Sequence, residues 1–431
     1  MIATVTPTRG LRGEIRIPGD KSISHRAVMF ASIAQGRSRV KGFSASADAA
    51  ATVDCLRRLG SDVGGKDGAI EVRGQGLLGL AEPDDVLNAA NSGTTVRLLS
   101  GILSGQPFLS IFTGDDSLRQ RPMKRIVTPL AAMGALIWGR NADQNLPLAI
   151  RGGLLRPISY SVPVASAQVK SAILLAALYA EGETTVIEPQ RTRDHSERML
   201  AAMGARIVAT EDASGHRVTV EGRPELQPLD VEIPGDFSSA AFFMAAAAVV
   251  PDSDIAMLNV GINPTRTGFM DILREMGAHV DVLDERLAGG EPVAEIRCRA
   301  GDLRGVSVSG EMVARAIDEL PVLAVVATQA EGETIVRDAQ ELRVKESDRI
   351  AAVVRELSRL GADIVELPDG FIVRGPTRLR GTRCSSCGDH RIAMSLAIAG
   401  LVATDETQID RVECVDVSFP GFFERLSEVI V

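Results

Sequence analysis

The tetrapeptide Ile-Pro-Gly-Asp occurs twice in this 431-residue chain, at positions 17–20 and 233–236. The two copies begin half a chain length apart, and each follows two alternating apolar–polar segments separated by a glycine-containing turn. Alternation of this kind predicts β-strands, and two such segments around a turn predict a β-hairpin. The chain is therefore expected to contain an internal duplication.

A shorter repeat lies within each half of the chain. Apolar, alanine-rich helical patterns recur at steps of roughly 70 to 80 residues, and they begin near Ser22, Ser92, Ser166, Ser238, Asp318 and Asp389. A second helix follows, and its last residue is typically followed by a glycine, the residue that a left-handed C-cap favours. The endings of this type are LRRLG at 56–60, LAAMG at 130–134 and 200–204, LREMG at 273–277 and LSRLG at 357–361. The pattern predicts an α/β protein whose unit of strand, helix, strand, helix and strand pair is repeated six times.

The sixth repeat ends in a helix-like segment at 422–431 and lacks its closing strand pair. We expect the hairpin within residues 1–18 to supply that pair. This gives a discontinuous domain of residues 1–18 plus 232–431, closed by the N-terminal hairpin, and a continuous domain of residues 19–231, with three repeats in each. The first helix of a repeat is apolar nearly all round, as in AQVKSAILLAALYA at 167–180. Such helices are expected inside each domain, with the strands outside.

Composition excludes several classes of protein. The formal net charge is -9 and aromatic residues make up 3% of the chain, so neither a basic field nor stacking platforms for nucleic acid are expected. The longest apolar runs are too short to span a bilayer, and the first residues lack the apolar core of a signal peptide. These features predict a soluble cytoplasmic protein that binds neither nucleic acid nor membrane.

Cysteine and histidine patterns do not indicate a metal site. The chain has five cysteines and five histidines. The only close cysteine pair is CSSC at 384–387, and a structural zinc site would need two further ligands. The histidines show no i, i+4 spacing. We expect free thiols in a reducing compartment and no metal.

The segment IPGDKS at 17–22 resembles a phosphate-binding loop, but Asp20 separates Gly19 from Lys21 and no glycine stands at position 14. A nucleotide site is therefore disfavoured. Cations nevertheless recur at the predicted starts of the first helices, where free backbone N–H groups attract anions. They are Lys21, Arg26, Arg97, Lys170 and Arg391, with Arg121 in the nearby SLRQRPMK segment. Their recurrence predicts a cleft between the two domains that binds a ligand with several negative groups.

Three carboxylates stand beside these cations in the sequence, namely Asp318, Glu346 and Asp389. Each could transfer protons to a bound ligand. Taken alone, each is more often a helix cap or an ion-pair partner, and a single cation of this kind more often lies on a solvated surface. The residues by themselves leave these alternatives open.

Eight motifs occur in an order that resembles the 5-enolpyruvylshikimate-3-phosphate synthase family over essentially the whole chain. They are PGDKSISHR, NSGTTVR, RPM, SAQVKSA, TRDH, DELP, RVKESDR and DHRIAM. The resemblance implies a two-domain inside-out α/β barrel of six βαβαββ-type repeats. It also implies transfer of the enolpyruvyl group of phosphoenolpyruvate to the 5-hydroxyl of shikimate 3-phosphate, with release of phosphate, in aromatic amino acid biosynthesis. No cofactor is implied, and a monomer is expected.

The resemblance also implies which residues bind the two substrates. For shikimate 3-phosphate they are Lys21, Ser22, Arg26, Ser166, Gln168, Arg193, Asp318 and Lys345. For phosphoenolpyruvate they are Lys21, Gly93, Arg121, Gln168, Arg349 and Arg391. The catalytic residues implied are Lys21, Asp318 and Glu346. Asp318 is expected to take the proton of the 5-hydroxyl, and Glu346, with Lys21 nearby, to protonate and later deprotonate the methylene carbon.

The chain departs from the family pattern at two places. Glu341 stands where some members carry asparagine, and Val417 where some carry lysine, so one contact on the phosphoenolpyruvate side is in question. Gly93 is retained, whereas members that tolerate glyphosate often carry alanine there. We therefore expect glyphosate to compete with phosphoenolpyruvate.

Two alternatives stand beside this interpretation. One is the related enolpyruvyl transferase acting on UDP-N-acetylglucosamine, which usually has a reactive cysteine in a mobile loop. The corresponding segment here, GDDSLRQRPMK at 114–124, has none. The other alternative is a non-catalytic anion-binding protein built on the same repeats, which would take up the sugar phosphate without turnover.

Overall fold

The computed structural model describes residues 1–212 and 215–431. The chain divides into two compact units. The terminal unit comprises Met1–Pro18, Pro234–Leu287 and Pro292–Val431, and the central unit comprises Gly19–Ile233 with Ala288–Glu291. The boundary predicted from the sequence lies at 231/232, and residues 288–291 are predicted in the discontinuous domain, so the predicted and the observed divisions differ at residues 232–233 and 288–291.

The described part of the central unit contains three four-stranded sheets. Their strands are β3 (Gln35–Lys41), β4 (Asp62–Lys66), β5 (Ala69–Gln75), β6 (Leu87–Asn88), β7 (Leu109–Thr113), β8 (Leu136–Gly139), β9 (Asn145–Arg151), β10 (Ser159–Ser161), β11 (Glu183–Glu188), β12 (Ile207–Asp212), β13 (Gly215–Glu221) and β14 (Val231–Glu232). The sheet orders are β14-β3-β5-β4, β6-β7-β9-β8 and β10-β11-β13-β12. In each sheet the first two strands are parallel and the remaining pairs are antiparallel.

Helices alternate with these strands along the chain. They are α1 (Lys21–Ser32), α2 (Ala47–Arg58), α3 (Gly93–Ser104), α4 (Lys124–Met133), the single turn α5 (Arg140–Asp143), α6 (Ala167–Ala177) and α7 (His195–Ala202). The run β10, α6, β11, α7, β12, β13 shows the repeat completely. The sequence-predicted βαβαββ unit is therefore confirmed.

The terminal unit is built from the same repeat. Its strands are β1 (Ile2–Val5), β2 (Arg12–Arg16), β15 (Asp254–Gly261), β16 (His279–Ala288), β17 (Glu291–Arg299), β18 (Ser307–Val308), β19 (Gly332–Val336), β20 (Asp363–Leu367), β21 (Gly370–Gly375), β22 (Arg383–Ser385) and β23 (Thr407–Asp410). Its helices are α8 (Phe237–Val249), α9 (Gly268–Met276), α10 (Glu311–Ala316), α11 (Leu320–Ala327), α12 (Arg349–Arg359), α13 (His390–Leu401) and α14 (Phe422–Glu428). The sheet orders are β16-β17-β15-β2, β18-β19-β21-β20 and β1-β23-β22.

The first helix of each repeat lies inside its unit. Every residue of α8 and of α13 is buried. Helices α8, α11 and α13 pack against one another in the terminal unit, as α3 does against α1 and α6 in the central unit. A helix that is apolar on all sides is stabilised by burying its whole surface, so it occupies the interior of the unit. The strands cover these helices and alternate between buried and partly exposed residues, as β13 does. The inside-out arrangement is confirmed.

The five predicted C-cap glycines, Gly60, Gly134, Gly204, Gly277 and Gly361, all have positive φ. At Gly134, for example, φ is 112° and the helix α4 ends. A side chain would be strained in this conformation, which explains why the repeat ends on glycine.

The predicted N-terminal hairpin is wrong. Strand β1 pairs antiparallel with β23, whereas β2 pairs parallel with β15 in another sheet. The last repeat is thus completed by one strand rather than by a pair. Similarly, β13 and β14 do not form a hairpin, since β14 pairs with β3. Alternation shows which face of a strand is buried but does not select its neighbour, and neither connection is a two-residue turn.

Among the described residues, no helix combines the length and the apolar character needed to cross a bilayer.

Candidate active site

In the central unit, the N-terminal ends of three buried helices meet. Arg26 on α1 donates from Nη2 to Ser171 Oγ on α6 at 3.0 Å. Gln168 on α6 donates from Nε2 to Thr94 Oγ1 on α3 at 3.0 Å. The first N–H groups of a helix have no intrahelical acceptor and carry partial positive charge. The face where α1, α3 and α6 begin, which we call the central cluster, can therefore attract anions.

Lys21 begins α1 and lies on this face. Its Nζ is 2.9 Å from Asp48 Oδ2 in the first turn of α2, and its side chain is 16% exposed. The preceding Asp20 caps α1 by accepting a hydrogen bond from the backbone N–H of Ile23 at 2.8 Å. Asp20, the residue that departs from the nucleotide-loop pattern, is thus the N-cap of the helix that begins with Lys21. Asp48 was not identified from the sequence, where it looks like an ordinary acidic residue in a first turn.

Arg26 is buried and holds three elements together. It donates from Nε to Ser196 Oγ at 2.8 Å and from Nη1 to the carbonyl of Ser22 at 2.9 Å. Burial lowers its pKa to about 10, opposed by Glu197 and Asp20. The guanidinium therefore remains charged at neutral pH. The side chain of Ser166, by contrast, does not cap α6. Its backbone carbonyl accepts a hydrogen bond from the N–H of Lys170 at 3.1 Å.

A second group of polar side chains surrounds the start of α3. Arg97 donates from Nη1 to Gln168 Oε1 at 2.5 Å. Arg121 donates from Nη2 to Asn91 Oδ1 at 2.6 Å. A Cβ atom added at Gly93 would lie 3.0 Å from Arg97 Nη1 and 3.6 Å from Arg121 Nη1. Gly93 thus leaves space between two cations, and Arg97, which the sequence analysis placed only among the helix-start cations, lies inside this group.

The terminal unit has a corresponding cluster, centred on buried Arg349 at the start of α12. Its Nε is 2.8 Å from Asp389 Oδ2, its Nη2 is 2.6 Å from Glu346 Oε2, and its Nη1 is 3.3 Å from Asp318 Oδ1. Lys345 Nζ lies 3.9 Å from the same Asp318 oxygen. Burial alone would lower the pKa of Arg349, but the three carboxylates outweigh it and raise the pKa. The structure therefore brings Asp318, Lys345, Glu346 and Arg349 together, as the sequence predicts.

Asp389 differs from the other two carboxylates. It is fully buried, accepts from Arg349, and also caps α13 through the N–H of Arg391 at 2.9 Å. Burial would raise its pKa, but the charge of Arg349 outweighs burial, and the pKa lies below its ordinary value. Asp389 is consequently a fixed anion. Asp318 and Glu346, whose side chains are 15% and 19% exposed, are the carboxylates of this cluster that a ligand can reach.

Arg391 lies at the edge of the same group. Its Nη1 is 3.9 Å from Glu319 Oε1. Glu319 in turn accepts a hydrogen bond from Ser238 at the start of α8, and Arg266 donates to Ser238 Oγ at 2.6 Å. Glu319 and Arg266 were not identified from the sequence. The terminal cluster, as we call the residues around the starts of α8, α11, α12 and α13, is thus held by ion pairs and hydrogen bonds together.

Lys170 has a different role from the predicted one, whereas Cys384 is a free thiol as predicted. Lys170, expected among the cations that face an anion, is completely buried against Glu188 and Glu197. Cys384 is a buried free thiol whose pKa burial raises to about 11. Over residues 1–212 and 215–431, no three His, Cys, Asp or Glu side chains are grouped so as to hold a metal ion.

An open groove of about 590 Å³ lies on β2, β15 and β17 and is lined by Arg12, Glu14, Asp254 and Arg297, among others. Arg297 and Asp254 form an exposed ion pair at 2.7 Å. None of the predicted site residues lines this groove, so its size does not mark the candidate site.

Comparison with known proteins identifies relatives across the whole chain. The family model for EPSP synthase (3-phosphoshikimate 1-carboxyvinyltransferase) matches residues 5–426. A 3-phosphoshikimate 1-carboxyvinyltransferase of Desulforudis audaxviator is 55% identical over 430 residues, covering 100% of this chain and 99% of the relative. The protein of that name from Desulforamulus reducens is 52% identical over 432 residues, covering 100% of both chains. A solved EPSP synthase from Acinetobacter baumannii superimposes with a TM-score of 0.88 at 43% identity, covering 100% of this chain and 98% of the other.

Proposed function

The chain belongs to the EPSP synthase family, and on this premise we propose that it transfers the enolpyruvyl group of phosphoenolpyruvate to the 5-hydroxyl of shikimate 3-phosphate, releasing inorganic phosphate. The full-length match to relatives named 3-phosphoshikimate 1-carboxyvinyltransferase supports this assignment. The reaction would supply aromatic amino acid biosynthesis.

The main structural support for the proposal is that Asp318 and Glu346 both form ion pairs with the buried guanidinium of Arg349. Addition to the enol phosphate of phosphoenolpyruvate needs a base for the 5-hydroxyl and an acid for the methylene carbon. We assign the first role to Asp318 and the second to Glu346. As the C–O bond forms, the hydroxyl proton passes to Asp318 and a proton from Glu346 passes to the methylene, which gives a tetrahedral intermediate.

In the elimination step the methyl group returns a proton to Glu346 and the C–O bond to phosphate breaks. Inorganic phosphate leaves with the proton that Asp318 took from the hydroxyl, and the enol ether of the product is formed. Positioned acid–base catalysis of this kind contributes roughly 10² to 10⁴ in rate. Lys21 is proposed to assist at the developing charge, and its Nζ is oriented by Asp48 Oδ2 at 2.9 Å.

We propose that shikimate 3-phosphate is bound by residues of both clusters. They are Lys21, Ser22, Arg26, Ser166, Gln168 and Arg193 of the central unit, and Asp318 and Lys345 of the terminal unit. Arg26 supports this choice because it is charged and fixed by three hydrogen bonds. A guanidinium has five N–H donors, so further donors remain for a ligand.

For phosphoenolpyruvate we propose Lys21, Gly93, Arg121 and Gln168 of the central unit, with Arg349 and Arg391 of the terminal unit. Two guanidinium groups around the space at Gly93 suit a small dianion, since bidentate arginine contacts to phosphate and carboxylate are strong.

Orthophosphate release, measured with both substrates and with each omitted in turn, tests the assignment. We expect release only when both are present. Release with UDP-N-acetylglucosamine in place of shikimate 3-phosphate would favour the related transferase. Calorimetric binding of shikimate 3-phosphate without phosphate release would favour the non-catalytic alternative.

We further propose that the protein acts as a cytoplasmic monomer without a cofactor. The five free cysteines support a reducing compartment. Light scattering coupled to size-exclusion chromatography would measure the monomer mass of 45.7 kDa, and a multiple of it would contradict the monomer.

A further inference from the structure

A charged side chain lies in the interior of the central unit, next to the proposed substrate-binding residues. Lys170, in the first turn of α6, is completely buried, and its Nζ lies 2.8 Å from Glu188 Oε2 and 2.7 Å from Glu197 Oε1. Burial alone would lower its pKa, but Glu197 and Glu188 outweigh burial and raise it. Lys170 is therefore a permanent ammonium between two carboxylates.

The partners of Lys170 come from the two ends of one loop. Glu188 ends β11, and Glu197 lies in the first turn of α7. Between them, Thr192 donates from Oγ1 to Glu188, and its carbonyl accepts from Lys170 Nζ at 3.4 Å. Thr192 directly precedes Arg193, one of the proposed ligands of shikimate 3-phosphate. Lys170 thus fixes the loop 189–194 at its start, near its middle and just beyond its end.

The same two helices carry the hydroxyls that hold Arg26. Ser171 follows Lys170 on α6, and Ser196 precedes Glu197 on α7. These two Oγ atoms are 2.7 Å apart, and both accept from Arg26. Any shift of α7 relative to α6 would separate them. The ion pair between Lys170 and Glu197 opposes such a shift one residue away.

We propose that Lys170 is a positioning residue for shikimate 3-phosphate, which acts through Glu188, Glu197 and Thr192 to fix Arg193 and the serine pair that orients Arg26. The proposal rests on the function proposed above. It assigns Lys170 no contact with either substrate, because its side chain has no exposed surface. Buried ion clusters are costly to desolvate, and one known reason for their retention is that they select a single geometry.

The test compares Lys170→Met with Val220→Ala, a control in which a buried apolar side chain of β13 is shortened. Both are expected to lower thermal stability. Only Lys170→Met is expected to raise KM for shikimate 3-phosphate, by about tenfold or more, because small displacements of positioning groups have effects of that size. KM for phosphoenolpyruvate should stay within about twofold. Thr192→Val, which removes one hydroxyl donor, should raise KM for shikimate 3-phosphate by a smaller factor. If Lys170→Met does not fold, this second variant tests the positioning role.

Hydrogen exchange of the amides at 190–195 gives a readout that needs no substrate, and we expect faster exchange in Lys170→Met than in Val220→Ala. An unchanged KM for shikimate 3-phosphate in both Lys170→Met and Thr192→Val, with wild-type turnover present, would overturn the positioning role alone. Equal rises of both KM values in Lys170→Met and Val220→Ala would reduce Lys170 to a structural residue. If the wild-type protein shows no turnover, the proposed function is rejected instead. In that case, equal hydrogen exchange at 190–195 in Lys170→Met and Val220→Ala would also reject the role of Lys170 in ordering the loop.

Discussion

Arg349 Nε and Asp389 Oδ2 lie 2.8 Å apart with both side chains buried, and this ion pair joins the start of α12 to the start of α13 in the terminal unit. Because Arg349 also contacts Asp318 and Glu346, the pair fixes the guanidinium on which the proposed base and acid rest. The same contact therefore bears on the stability of the fold and on the geometry of the proposed chemistry.

Replacing Asp389 by asparagine should lower the free energy of unfolding by about 3 kcal/mol, since a buried cation that loses one partner costs roughly 3 to 5 kcal/mol. The lower end is expected because Glu346 and Asp318 still face Arg349. Urea denaturation would measure the change. Arg374→Ala, which removes a pair with Glu333 where both side chains are about half exposed, is the control and should change stability by about 1 kcal/mol or less. Similar losses in the two variants would contradict this role for Asp389.

The pH dependence of stability should reflect the same carboxylate. Its pKa in the folded protein lies below the ordinary value of 3.8, so its contribution is present above that value and is lost as the pH falls through the folded-state pKa. The stability difference between wild type and Asp389→Asn should thus be constant from about pH 7 to about pH 5 and should narrow as the pH falls below about 4. Unfolding curves across this range would show it, and a difference that widens in acid would be inconsistent with an ionised Asp389.

Asp318→Asn and Glu346→Gln should each lower kcat by roughly 10² to 10⁴, the usual contribution of a positioned proton transfer. KM should change much less, because both replacements keep the shape of the side chain. Steady-state phosphate release would give both constants. Glu333→Gln, on β19 of the same unit, where the side chain is 41% exposed and outside the proposed substrate-binding and proton-transfer residues, is the control. If kcat in either active-site variant stays near the wild-type value, the proton-transfer role assigned to that carboxylate is incorrect.

Gly93→Ala should weaken glyphosate inhibition. We expect glyphosate to compete with phosphoenolpyruvate in the wild type, and an added methyl would lie 3.0 Å from Arg97 Nη1. Overpacking costs about 1 to 3 kcal/mol, which corresponds to roughly a 5- to 150-fold rise in the inhibition constant. Gly153→Ala is the control because a Cβ there would meet no atom within 4 Å. A millimolar inhibition constant corresponds to only about 4 kcal/mol of binding free energy. If about millimolar glyphosate does not inhibit the wild type, the expected competition with phosphoenolpyruvate is rejected.

Much of the architecture could be predicted from the sequence because helix periodicity and glycine C-caps are local properties. Gly134 and Gly277, for instance, follow helices that end where the pattern indicates, with φ of 112° and 103°. The strand partners could not be predicted in the same way. Alternation in β1 and β2 is compatible with any neighbouring strand, and their true partners, β23 and β15, lie hundreds of residues away in the chain.

In the candidate site, too, some residues could be predicted from the sequence and others could not. Lys21, Arg349 and Asp318 were predicted through motifs at helix starts. Asp48 and Glu319 were not, because an acid near a helix start is equally well a cap, and only the folded chain shows which cation it faces. Lys170 was assigned to the wrong environment because its partners Glu188 and Glu197 follow it on a different strand and helix.

The pairing of β1 with β23 has a consequence for how the protein is made. Ile2 is opposite Asp410 in that sheet, so β1 acquires its neighbour only after the long stretch of chain between the two strands has been synthesised. Residues 19–233, by contrast, contain all the strands of three sheets in one stretch. The nascent chain can therefore finish the central unit while β1 is still unpaired.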